Sequence, residues 1–207
     1  MNKLIPALAG TAAASGAGLG GYVWFSKKVE TIEGKYKSAL LYDSSNLWDK
    51  KWEKIKSSEP VHETLRKAKE KATSESPISK SLHRQGCMEI YSSPLENFKY
   101  LEDLKNYCSK NISDVVTGGN WIADNNQNTK WDTPLKALKE KGQADLPKDL
   151  GDIVSKLTTT TGTTGTTFQQ AERKLLKDWC DKTKDEIATD DLKDLISNAQ
   201  LYCLSAN

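Results

Sequence analysis

The sequence predicts an all-α protein: an N-terminal transmembrane helix over 1–28, then a helical domain built from two divergent helical repeats. Three observations carry that expectation. An acid-free, weakly apolar stretch runs from Leu4 to Phe25, and the polar chain after it holds all four cysteines. Beyond that stretch, apolar residues recur at helical spacing, with no convincing alternation of period two. Finally, an ordered set of tryptophans and cysteines occurs twice.

The 22 residues from Leu4 to Phe25 would span roughly 33 Å as a helix, about the thickness of a bilayer core. Lys3 precedes them, Lys27 and Lys28 follow, and Tyr22, Trp24 and Phe25 stand where an aromatic belt would meet headgroups. The membrane is therefore an expected partner through residues 4–25. Two alternatives stay open: a signal peptide cleaved after Ala12-Ala13-Ala14, and an interfacial or buried helix. Orientation is contested within the sequence. Lys27, Lys28, Lys35 and Lys37 outnumber Lys3, which by the positive-inside rule keeps the carboxyl side in the cytoplasm. The cysteines argue for export.

The first repeat is expected over 29–116. Leu40, Leu41, Leu47, Trp48, Trp52 and Ile55 share one helical stripe; Val61, Leu65, Ala68 and Ala72 mark a second helix; Ile78, Leu82, Cys87, Ile90 and Tyr91 mark a third. Lys67, Lys69 and Lys71 form a solvated face of the second. Ser93-Pro94-Leu95-Glu96 has the form of a capping box with Pro at the first helical position. It predicts the start of a helix bearing Phe98, Leu101, Leu104 and Cys108. The Gly- and Asn-rich segment 117–130 reads as a connector. The second repeat follows over 131–207, with Leu175, Leu176, Trp179, Cys180 and Ile187 on one stripe. Asp190 and Asp191 open a last helix through Leu192, Leu195, Ile196, Ala199 and Cys203. The Thr/Gly run at 158–167 is low in complexity and reads as an exposed loop.

The duplication is read by matching Trp52, which opens WEKIKSS, with Trp131, which opens WDTPLKALK. Each copy then reaches a Cys on an apolar helix, Cys87 or Cys180, and closes on Tyr107-Cys108 or Tyr202-Cys203. A unit of this length exceeds the common solenoid periods. Asn46-Leu47-Trp48 precedes the first motif as Asn120-Trp121 precedes the second. These matched positions favour the core over a binding face for Trp48, Trp52, Trp121 and Trp131; Trp48, Trp52, Trp131 and Trp179 are the expected structural core.

Composition excludes more than it names. Thirty basic against 28 acidic residues leave a net charge of +2, no footprint for nucleic acid. Cys87, Cys108, Cys180 and Cys203 contain no C-x-x-C, and His62 and His83 do not follow zinc spacing, so no metal site is expected. Local disulfides Cys87–Cys108 and Cys180–Cys203 are the natural pairing among three connectivities. Four reduced, buried thiols are the alternative. No G-x-S-x-G, H-E-x-x-H, P-loop or dinucleotide fingerprint occurs, and no catalytic residue or cofactor is expected. Asp124, Asn125 and Asn126 lack the later Gly and Glu of a calcium loop and read as a turn.

The opening MNKLIPALAG with its Gly/Ala-rich run, the central GNW…KWDTPLKALK, and RKLLKDWCDKTKDEI with a terminal NAQLYC resemble a large paralogous family of uncharacterised proteins of haemotropic mycoplasmas. The resemblance runs from Met1 to about Cys203; Asp178-Trp179-Cys180-Asp181 and Tyr202-Cys203 are its most specific parts. It implies a membrane-anchored, surface-exposed protein, variable between paralogues, whose cysteines would meet host plasma. It implies no catalytic or ligand-binding residue. The expected function is non-enzymatic host contact or antigenic display, with a host surface molecule as partner and variation at 59–77 and 117–167. A cytoplasm-facing structural module with reduced cysteines is the rival.

Overall fold

The computed structural model describes residues 29–42, 45–96, 99–157 and 168–205. The expected membrane helix, Phe98 and the Thr/Gly run at 158–167 lie outside the described residues. Those described are mostly helical, and no helix among them is long and apolar enough to cross a membrane.

The first half contains α1 (Ile32–Tyr36), α2 (Trp48–Lys56), α3 (Glu63–Lys71), α4 (Ser76–Tyr91) and α5 (Leu101–Asp103), which runs on as a π-helical turn, Leu104–Cys108. The second contains α6 (Ile112–Val115), α7 (Asp132–Lys141), α8 (Lys148–Leu157), α9 (Gln170–Lys184) and α10 (Lys193–Tyr202). Local chemistry starts and stops these helices. The Thr31 side chain accepts the Gly34 N–H at α1, and capping boxes open α6 (Asn111 with Asp114) and α9 (Gln169 with Glu172). Pro77 stands in the first turn of α4, where its missing N–H removes no helical bond. Gly142, at φ 78°, ends α7 in a conformation that side chains disfavour.

Each half has its own core. Ile32, Leu40, Leu41, Ile55, Leu65, Ile90 and Leu104 fill the first; Ile112, Trp131, Leu135, Leu138, Leu150 and Leu176 fill the second. Short antiparallel pairings close both, and they match. Thr31 bridges Pro94 as Asn111 bridges Ile187, and Leu40 bridges Ser109 as β1 (Asn120–Trp121) pairs with β2 (Leu204–Ser205). The same backbone bonds recur: Ile32 N–H donates to Ser93 O as Ile112 N–H does to Glu186 O, and Leu41 N–H to Cys108 O as Ile122 N–H does to Cys203 O. The fold is repeat-like at the level of individual hydrogen bonds.

Several sequence expectations are corrected by this frame. The 117–130 segment is no connector: Ile122 is buried, β1 is paired, and a Cβ on Gly119 would lie 2.3 Å from Ser205 O. The pairing of the second half begins at Asn111, two residues after the Leu40–Ser109 bridge of the first. Ser93–Glu96 starts no helix, because Pro94 sits in the bridge to Thr31 and the Leu95 N–H is taken by Glu30 O. Tertiary pairing overrides the capping signal, and the helix begins at Leu101. Val61 precedes α3 and is exposed, as is Ile78 on α4. The buried face of α4 runs through Ser79, His83, Gly86, Cys87 and Ile90. Gly86 is needed there, since a Cβ would come 2.8 Å from Leu65 Cδ2 on α3. Ile187 lies beyond α9, and packs into the first core rather than the second.

Candidate functional site

The most constrained chemistry lies at two corresponding corners, one per half. Cys87 on α4 is joined to Cys108, and Cys180 on α9 to Cys203, with Cα separations of 5.3 and 5.6 Å. All four sulfur-bearing residues are fully buried. In both corners the helix-borne sulfur lies 3.7 Å from the carbonyl oxygen of the preceding tyrosine, Tyr107 or Tyr202. Tyr91 braces the first corner further by donating its hydroxyl to Cys108 O. Burial raises that hydroxyl well above the ordinary tyrosine range, so it remains a donor.

Tryptophans are buried in both halves alongside the corners. Trp48 and Trp131 stand at equivalent places, each with its indole N–H on a backbone carbonyl: Tyr42 O at 2.8 Å and Asp124 O at 3.2 Å. The register of the duplication is therefore WDKKWEKIK against WDTPLKALK, with Trp48 matching Trp131 and Trp52 matching Leu135. The sequence-based match of Trp52 with Trp131 is corrected; four residues of slip place a second tryptophan where the other half has leucine. Trp52 donates to Ser79 Oγ at 2.8 Å and Trp179 to the Asp149 carboxylate on α8. Trp48, Trp52, Trp131 and Trp179 are all buried.

That register exposes an ion pair that periodicity alone missed. Asp49 and Asp132 occupy the same position, as do Lys80 and Arg173 relative to their cysteines. Lys80 meets Asp49 at 2.8 Å, and Arg173 grips Asp132 with two bonds, 2.6 and 2.9 Å. The first pair is exposed and contributes little. The second is largely shielded, and its forked geometry fixes α9 against α7. Aligning the two Trp-Asp dipeptides would have revealed both.

Lys51 and Asp114 join the halves. Lys51 is 3 % exposed, and its ammonium meets Asp114 Oδ2 at 2.8 Å and the Asn111 side chain. Lys50 reaches the same carboxylate. Burial acts to raise the Asp114 carboxyl, but the hydrogen bonds from Lys50 and Lys51 outweigh it and hold the group below the usual carboxylate range. Burial pushes the Lys51 ammonium down against the pull of Asp114. An open cleft of about 670 Å³ runs along this junction between α1 and residues 186–192. Lys35, Lys105, Glu186 and Asp191 border it with mixed charge, and no catalytic pairing is evident among them.

Among the described residues one group has metal-ligand proximity, His83 with Cys87 and Cys108. Both sulfurs are consumed by the disulfide, and His83 Nε2 lies 2.9 Å from Tyr107 O. The arrangement does not fit a metal. His83 instead packs edge-on against Trp48, where the second half has Leu176. His62 Nε2 stands 3.7 Å from Glu89, too long for strong activation, and its Nδ1 is buried without a partner. Asp124, Asn125 and Asn126 form a turn, with Asn125 Oδ1 accepting the Gln127 N–H.

Burial depresses the His83 imidazole from 6.5 to about 4. Its neutral form is the one the fold holds, so the associated stability is complete above pH 6.5. It falls as pH drops through 6.5 toward 4, by up to roughly 3 kcal/mol on linkage. His83→Leu, which copies the second half, is expected to flatten that part of the stability–pH curve. Urea midpoints between pH 7 and 4 check this; parallel curves for the two proteins would refute it.

Fold and corners together define a disulfide-braced, repeat-like helical protein. No family model, no curated protein and no solved structure matches the chain.

Proposed function

We propose that this chain is a membrane-anchored surface protein, exported with its domain outside and acting by non-enzymatic contact. Host-cell adhesion and antigenic display are the two forms such contact takes, with a host surface molecule as partner. The carrying observation is the pair of buried disulfides, since stable disulfides belong to oxidising compartments. The apolar segment 4–25 supplies the anchor in this reading, and the resemblance to the haemotropic mycoplasma family supports the address. Two tandem copies of one ancestral unit account for the matching bridges, corners and Trp-Asp dipeptides. The framework would then be shared, and the loops would carry the variation.

The lysines after residue 26 favour a second reading, a cytoplasm-facing structural module whose cysteines are reduced. Labelling intact cells with a membrane-impermeant maleimide separates the two. The expected result is labelling of Cys87, Cys108, Cys180 and Cys203 only after reduction, without permeabilisation. Labelling that requires permeabilisation and no reductant would sink the surface reading.

A further inference from the structure

The two corners differ at one buried position, and the difference is a ligand. His83 and Cys87 stand one turn apart on the buried face of α4, and Cys108 comes to them from the end of the π-helical turn. The ligand atoms of all three lie within 4.8 Å of one another, and all three residues are buried. In the second corner Leu176 stands four residues before Cys180, fully buried. The fold therefore closes such a corner without an imidazole. Closed by its disulfide, the first corner has no thiolate to give a metal; opened, it has two.

We infer that reducing the Cys87–Cys108 bond turns the first corner into a site for a thiophilic divalent ion such as zinc, held by Cys87, Cys108 and His83, while the second corner gains none. Two thiolates and one imidazole are a donor set that suits zinc. Ligand atoms on a tetrahedral zinc stand roughly 3.4–3.8 Å apart at the usual bond lengths. The sulfurs reach that separation by turning about their Cα–Cβ bonds, across a Cα distance of 5.3 Å. Tyr107 O is the oxygen at hand for the fourth position, 2.9 Å from His83 Nε2 and 3.7 Å from Cys87 Sγ. Burial also keeps the His83 ring neutral, as a ligand must be.

The chemistry balances with a dithiol reductant. Its two thiols become a disulfide, and their two electrons and two protons convert the Cys87–Cys108 bond to two thiols. Both cysteines are fully buried, so exchange waits on local opening of the corner. The ion then displaces the two thiol protons, while the imidazole lends a lone pair and releases none. One corner thereby has two alternative cross-links, covalent under oxidising conditions and metallic under reducing ones.

Cobalt(II) titration of the full chain, reduced with a dithiol in a non-ionic detergent and freed of reductant under argon, tests this. A single ion is expected to bind with thiolate-to-cobalt charge-transfer absorption, and zinc to displace it. The oxidised chain is expected to show no such band. His83→Leu, which copies the second corner, should weaken binding at least about tenfold. The Cys180→Ala/Cys203→Ala protein should bind as its parent does. Circular dichroism of the same samples covers the case in which the reduced chain is unfolded, since the ion is then expected to restore helix. No band and no recovered helix would overturn the proposal. So would equal affinity in the His83→Leu protein, or a band lost with Cys180 and Cys203 rather than with Cys87 and Cys108.

Discussion

Reducing both disulfides is expected to bring the described domain to the edge of unfolding. Each bond closes a loop with a sequence separation of 21 or 23 residues, worth roughly 3 kcal/mol on the chain-entropy model. Losing both removes about 6 kcal/mol from a fold whose total stability belongs in a range of about 5–15 kcal/mol. Guanidinium unfolding followed by far-ultraviolet circular dichroism, with and without reductant, measures the difference. The Cys87→Ala/Cys108→Ala and Cys180→Ala/Cys203→Ala proteins apportion it. Similar separations predict similar losses. The separate cores predict something further: each double substitution should loosen chiefly its own half, giving two transitions where one is expected of the parent. The Lys51–Asp114 contact and the insertion of Ile187 into the first core oppose that separation. An unchanged midpoint in the Cys180→Ala/Cys203→Ala protein under oxidising conditions would remove that bond from the account of stability.

How much of this was legible depended on whether a signal was local. The helical character of the domain and the burial of Trp48 and Cys87 follow from spacing along single helices, and spacing is printed in the sequence. Misreadings arose where a residue's partner lies far along the chain. Ser93-Pro94-Leu95-Glu96 has the composition of a helix start, but Glu30 and Thr31 claim its backbone, and nothing near position 93 announces them. The 117–130 segment has the composition of a linker; its Gly and Asn residues serve turns and the close passage of Gly119 beneath Ser205. Cys87, Ile90 and Tyr91 of the expected α4 stripe are buried, but Ser79 and His83 complete that face and, being polar, are not marked by apolar spacing. Each has a specific acceptor, Ala68 O and Tyr107 O, which makes burial acceptable. At the corners, the cysteine pairing was readable from two similar intervals. The tyrosine carbonyl that each sulfur faces was not, because a backbone atom has no sequence signature.

Trp131→Ala is expected to be the most damaging single substitution, at about 3–5 kcal/mol. Trp131 is fully buried in the second core, and loss of its ring leaves a void next to Asp132, which Arg173 holds. The change also strands Asp124 O, which accepts the indole N–H, adding the penalty of a lost polar contact. Trp131→Phe should lose less, since it retains most of the ring volume and forfeits chiefly that hydrogen bond. Trp121 supplies the internal contrast. Its ring is only partly buried, yet its indole nitrogen is buried without a partner. Trp121→Phe removes an unsatisfied donor and little packing, so it should be neutral or stabilising by up to about 1 kcal/mol. Thermal unfolding of the three proteins decides between a core and a contact role for these tryptophans. A Trp131→Ala protein as stable as its parent would take the residue out of the core and return it to the candidates for a binding face.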